Sequence, residues 1–142
     1  IVKLSPNVTS IGRMARAAED AGADALSLVN TFLGMAIDPE TRRPRISNIT
    51  AGLSGPCIKP IAVRMVYEAA HSVNIPVIGI GGISTAADVA EFLLAGAAAV
   101  EVGTANFWDP CACEKLVDQF ERWCVEHRVG AAKELTGGMI LE

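Results

Sequence analysis

Residues 77–102 read VIGIGGISTAADVAEFLLAGAAAVEV. A short apolar run, Val77–Ile80, ends in the paired glycines Gly81-Gly82. Ser84 or Thr85 then stands where a helix cap belongs, and Ala86, Val89, Ala90 and Leu93 share one stripe at helical spacing. Gly96 follows at the place of a left-handed helix C-cap, and a second apolar run, Ala99–Val102, begins at once. Strand, helix, strand in so few residues predicts a parallel βαβ unit.

The same grammar extends upstream. Ala21-Gly22-Ala23-Asp24-Ala25-Leu26-Ser27-Leu28 resembles Ala95-Gly96-Ala97-Ala98-Ala99-Val100-Glu101-Val102, 74 residues later. Ile1–Leu4 and Ala25–Val29 supply two more buried-strand patterns. Helical stripes fall at Ile11, Met14, Ala15 and Ala18, at Ile58, Ile61, Ala62, Met65, Val66, Ala69 and Val73, and at Cys113, Leu116, Val117, Phe120 and Cys124. Four βα units make an α/β protein with parallel strands, built as a doubly wound sheet or as a (β/α)8 barrel. A whole barrel takes about 250 residues, so the 142 present correspond to about half of one. A half barrel has two open strand edges and an apolar inner face, and is expected to pair with another half or with itself. Thr31–Cys57 is a long connection of the kind that covers a site or makes a contact.

Composition sets outer bounds. With 51% hydrophobic and 20% charged residues the chain is globular, and it has no uninterrupted apolar run that would span a membrane. Its net charge of −4 advertises no nucleic-acid surface. Four cysteines in a chain of this length are no disulfide framework, which together with the lack of a signal peptide points to the reducing cytoplasm. The chain opens Ile1-Val2-Lys3-Leu4 with no methionine, already as a strand, which leads us to expect further sequence upstream.

Chemistry is expected at the ends of the strands. Gly81-Gly82 and Gly103-Thr104 end consecutive strands in turns whose N–H groups can meet an anion closely. In barrels a phosphate commonly sits between the last two such loops, helped by a short extra helix, and Asn106–Trp108 is placed to be one. The plainer alternative is two tight turns that bind nothing. Lys3, inside an apolar strand, should reach the barrel mouth, where it can hold negative charge, although an edge lysine in solvent reads the same way. Asn30-Thr31 suits a planar polar ligand, or a capped turn. Gly55, between two prolines and a second glycine, lets the backbone lie against a ligand or simply enters a helix. Arg42-Arg43-Pro44-Arg45 reads as a solvated loop or a subunit contact. Cys111, Cys113, Cys124 and His127 resemble zinc ligands only faintly, and Cys113 and Cys124 belong to a helix's apolar stripe, so core packing is the better reading and no metal is expected. Glu101, between two valines, is either a base or, more commonly for such acids, a paired structural group.

Taken in order, VKLSPN (2–7), SLVNTFLGMAID (27–38), GLSGPCIKP (52–60), GIGGI (79–83) and VGTANF (102–107) resemble the C-terminal half of dihydroorotate dehydrogenases, in their cytosolic NAD-linked branch. The resemblance implies an FMN-binding barrel. It matches Lys3 and Gly55 to flavin contacts, Val29 to a backbone contact with the flavin, and Gly81-Gly82 and Gly103-Thr104 to the phosphate cradle. Asn30 and Thr31 match the pair that hydrogen-bonds the orotate ring. The implied reaction oxidises dihydroorotate to orotate in pyrimidine synthesis: a base takes the C5 proton while hydride passes from C6 to flavin N5. A homo-oligomer and a second subunit carrying FAD and an iron–sulfur cluster are implied partners.

One departure matters. The family's catalytic cysteine lies upstream of every residue here, and Cys57 does not match it. No catalytic base is therefore assigned, and these 142 residues alone are expected to be inactive. Two other readings stay open: the pyrimidine-reducing domain of dihydropyrimidine dehydrogenase, which shares the SGP-x-IKP loop, and a non-catalytic half barrel that self-associates.

Overall fold

The computed structural model describes residues 1–141. In chain order its first elements are β1 (Val2–Lys3), α1 (Ile11–Asp20), β2 (Leu26–Leu28), β3 (Phe32–Met35), β4 (Ile37–Asp38), β5 (Arg43–Pro44) and β6 (Thr50–Leu53). There follow α2 (Lys59–Ala70), β7 (Val77–Ile80), α3 (Ala86–Leu94), β8 (Ala99–Glu101), α4 (Ala105–Trp108) and α5 (Ala112–Glu126). The apolar runs pair in the order β1-β2-β7-β8, parallel throughout. β7 has its predicted span, while the other three are shorter than the runs Ile1–Leu4, Ala25–Val29 and Ala99–Val102. Pairing frays rather than stops there: Leu4 N–H still donates to Ser27 O at 2.8 Å, and Val29 N–H to Ile80 O at 2.9 Å.

One face of this sheet is packed by helices. Leu26, Leu28 and Val77 point to it and are buried with Ile11 and Ala15 of α1, Ala62, Val66 and Ala69 of α2, and Phe92 of α3. Each large apolar side chain so buried contributes about 1.5–3 kcal/mol. Alternation puts Lys3, Ser27, Ile78, Ile80 and Glu101 on the other face. The inner face is thus not purely apolar as expected: a lysine, a serine and a glutamate interrupt it. β1 and β8 are open edges, with Ile1 79% exposed.

The helices start and stop where their caps allow. Thr85, rather than Ser84, caps α3, and Asp88 closes the capping box. Ser84 instead donates its N–H and hydroxyl to Asp88 Oδ2, at 2.9 and 3.1 Å. The internal repeat is real in three dimensions. Gly22 (φ +92) and Gly96 (φ +114) both take a positive φ. Ala23 N–H reaches Ala18 O at 3.1 Å, and Ala97 N–H reaches Phe92 O at 3.0 Å, the same six-residue closure at the same offset.

α5 departs from expectation. Only Ala112 and Leu116 of its residues are buried, Val117 is 68% exposed, Cys113 is exposed and Cys124 is half-buried. The helix lies against α3, with Leu116 in the core and Phe120 packed against it, while Val117 on the same stripe stays open. Partial burial still pushes the Cys124 thiol up from its ordinary pKa.

The long connection is not a loop. β3 and β6 pair antiparallel from Phe32↔Leu53 to Met35↔Thr50, and β4 pairs with β5 beyond them. Arg43 sits in β5, and Arg42 to Arg45 are all exposed. Leu33, Met35, Ile37 and Ile49 of this arm are also more than half exposed.

Candidate functional site

The turns that follow the parallel strands meet at one end of the sheet. Gly81 (φ +139) and Gly82 (φ +78) carry the chain out of β7. A Cβ on Gly82 would lie 2.7 Å from Gly55 O and 3.1 Å from Pro56 Cα, both backbone atoms that cannot swing aside. A Cβ on Gly81 would lie 2.8 Å from that of Ala62. The β7 turn is therefore pressed onto the loop before α2, where Gly55 itself has φ +94 and Pro56 starts a single 3-10 turn. The β8 turn is tied to the same loop, because Thr104 Oγ1 donates to Ser54 Oγ at 2.8 Å. Asn106 Nδ2 fixes it from the other side, donating to Val102 O at 2.9 Å and Gly103 O at 3.1 Å. Gly103 is less constrained, since a Cβ there would meet only Ile80 Cδ1, at an ordinary 3.7 Å.

Backbone accounting then finds donors to spare. The N–H groups of Gly81, Gly82, Gly103 and Thr104 have no hydrogen-bond acceptor among the described residues. Such groups need a partner, water or ligand. They lie on a cavity of about 440 Å³, within the size range of small-molecule sites. All nine residues singled out from sequence line it: Lys3, Val29, Asn30, Thr31, Gly55, Gly81, Gly82, Gly103 and Thr104. Asn106, Phe107 and Trp108 close it from α4, the short extra element expected there. Ser54, Ile58, Ile80, Ile83 and Ala105 also line it and were not foreseen. Ser54 stood within the quoted GLSGP stretch, but nothing in a lone serine shows that it meets a threonine 50 residues away.

Among the described residues, Lys3 is the one charged side chain on the cavity wall. Its Nζ lies 3.3 Å from Glu101 Oε2, while Ser27 Oγ donates to Glu101 Oε1 at 2.6 Å. Glu101 is thus the paired acid of the two readings. Val29 and Asn30 follow a cis Leu28–Val29 peptide, and Asn30 N–H is held by Leu4 O at 3.2 Å. Thr31 is placed by Asn7, which sequence reading passed over: Asn7 Nδ2 donates to Thr31 O and Asn7 Oδ1 accepts from Leu33 N–H, both at 3.0 Å. Gly52 of β6 lies so close that a Cβ there would be 2.2 Å from Thr31 Oγ1. The arm therefore abuts the cavity.

Behind the glycine turns, Lys59 Nζ bridges Asp88 Oδ1 at 2.6 Å and Glu91 Oε1 at 2.8 Å. Burial pushes the Asp88 carboxyl up, but hydrogen bonds from Lys59, Ser84 and Thr85 outweigh it and hold its pKa at about 2, below the usual 3.8. The hydrogen bond to Asp88, then that to Glu91, raises Lys59 from its ordinary value. This bridge clamps the start of α2 to the start of α3, and so the two glycine loops to each other.

Cys57 stands outside the cavity wall, with its Sγ 3.6 Å from Ser54 O. Among the described residues no group of three His, Cys, Asp or Glu side chains could hold a metal ion. No helix among them is long and apolar enough to cross a membrane.

A cavity at one end of a parallel sheet, floored by glycine turns with spare amides, defines an α/β domain of the barrel or doubly wound type with a candidate ligand site. The family model for dihydroorotate dehydrogenase matches residues 1–123, and the chain belongs to that family. It is 60% identical over 142 residues to the catalytic subunit of dihydroorotate dehydrogenase B (NAD(+)) of Porphyromonas gingivalis, covering 46% of that protein. It is 59% identical over 140 residues to the corresponding subunit of Geotalea uraniireducens, again covering 46%. The chain spans about half the length of these curated relatives. Among solved structures it resembles dihydroorotate dehydrogenase from Eimeria tenella in complex with ferulenol, with a TM-score of 0.79 and 27% identity. That match covers 96% of this chain and 37% of the other. The four-stranded parallel unit is accordingly part of a barrel, with about four βα units.

Proposed function

We propose that the whole protein oxidises dihydroorotate to orotate in de novo pyrimidine biosynthesis, and that this chain supplies the FMN cradle and part of the substrate site. The observation that carries this reading is one wall bearing four acceptor-less amides and one ammonium, with Asn30 and Thr31 among its neutral polar side chains. The residues fit the cofactor: the amides of Gly81, Gly82, Gly103 and Thr104 would take its phosphate, and Gly55 and the Val29 backbone would lie along its ring system. When bound, FMN supplies the acceptor for the hydride that leaves C6 of dihydroorotate. Lys3 would hold negative charge at the ring end of the cavity. Asn30 and Thr31 would donate to and accept from the planar polar substrate, with Thr31 held in place by Asn7. None of these residues is assigned as the base for the C5 proton, and Cys57 stands off the cavity. Partners of the whole protein would be a second copy of itself and an electron-transfer subunit with FAD and an iron–sulfur cluster, all in the cytoplasm. Every curated relative described above bears a dihydroorotate dehydrogenase name, which gives no support to the dihydropyrimidine dehydrogenase alternative.

Titration of the chain with FMN and with riboflavin, followed by flavin fluorescence, tests the cradle. FMN should bind at least tenfold more tightly, because only it presents a phosphate to the spare amides. Equal binding of the two, or binding of neither, overturns the reading.

A further inference from the structure

β1 and β8 are the two edges of the sheet, three strand spacings apart, or about 14 Å if the sheet were flat. Lys3 and Glu101 nevertheless touch across its open face, at 3.3 Å over a separation of 98 residues. The carboxylate is not free to wander, because its other oxygen takes the hydroxyl of Ser27, which is 2% exposed. Stability does not account for this pair. Its partners are 42% and 39% exposed, and ion pairs so open to solvent add little. Its location does account for it, since among the described residues Lys3 is the only charged side chain on the cavity wall and Glu101 stands just off that wall.

We infer that Glu101 is a positioning residue, anchored by Ser27, that holds the Lys3 ammonium at the cavity and sets how much positive charge it offers a bound anion. A lysine on its flexible stem reaches many places, and a fixed carboxylate selects one before any ligand arrives. The same carboxylate shares the ammonium's charge, so it tempers the cavity's pull on negative ligands. The inference rests on the FMN reading above, and it assigns a role to a residue which that reading leaves unused.

Redox titration of the FMN-loaded chain separates the possibilities. Glu101→Gln keeps a side chain able to hydrogen-bond Ser27 and Lys3 but removes the charge. Reduced FMN is anionic, so this variant should hold it more tightly relative to oxidised FMN by roughly tenfold, an upward potential shift of about 30 mV for two electrons. Lys3→Met should move the potential downward. In the Lys3→Met background, Glu101→Gln should lose more than half of its effect, since Glu101 acts through Lys3. A potential unmoved by Glu101→Gln, or moved equally with and without Lys3, overturns the inference and leaves the FMN reading standing. Failure of the unaltered chain to bind FMN overturns both.

Discussion

The glycine turns at the ends of β7 and β8 and the antiparallel arm of residues 32–53 occupy neighbouring space on opposite terms. The turns are fixed from every side: Gly82 against a backbone carbonyl, Thr104 against Ser54, Lys59 against Asp88. The arm is fixed only at its base, by Asn7 and the Gly52–Thr31 approach, and it carries exposed Leu33 and Met35 outward. The difference teaches that apolar content does not decide which part of this chain is tied down. The turns are held by several contacts that leave no room for a Cβ and by side-chain hydrogen bonds, the arm by one such approach, at Gly52.

Substitutions can widen or collapse that contrast. The largest effect is expected beneath the turns, at Phe92, whose ring is fully buried and fills the space left by Gly79. Phe92→Ala should cost about 3–5 kcal/mol in denaturant unfolding. Gly82→Ala comes next, at about 2–3 kcal/mol, because it adds a strained positive φ to a clash with backbone. It should also abolish the preference for FMN over riboflavin. A cost at Gly82 no larger than in the arm would break the comparison.

Asp88→Asn should cost about 2 kcal/mol at pH 6. The sign follows from its lowered pKa: the stabilisation is complete above about pH 4 and is lost as pH falls towards about 2. Unfolding midpoints of the unaltered chain should therefore drop over that window more steeply than those of the variant. Lys59, with its pKa raised, keeps its part of the bridge through neutral pH and loses it only in strong alkali. At the other extreme, Leu33→Ala on the arm should change stability by less than about 0.5 kcal/mol, measured the same way.

What sequence could show follows the same division. Buried parallel strands announce themselves as apolar runs closed by glycine, and β7 fell where Val77–Ile80 placed it. The arm did not announce itself. Its strands are four residues or fewer, each longer one contains a glycine, and neither face is buried enough to impose alternation. Phe92 escaped the α3 stripe because the hole it fills belongs to a residue without a side chain. The cavity was more legible than its supports. Glycine, lysine and Asn-Thr at strand ends are chemical types with few uses there, whereas Asn7, Ser54 and the Lys59 bridge act through partners that only folding brings near.

The bond between Ser27 and Glu101 joins two positions 74 residues apart, which is the period of the internal repeat. Equivalent places in the two copies of the repeat thus face each other, and a hydroxyl in one answers an acid in the other. The two side chains are complementary rather than identical, so a change at either position is felt at its equivalent in the other copy.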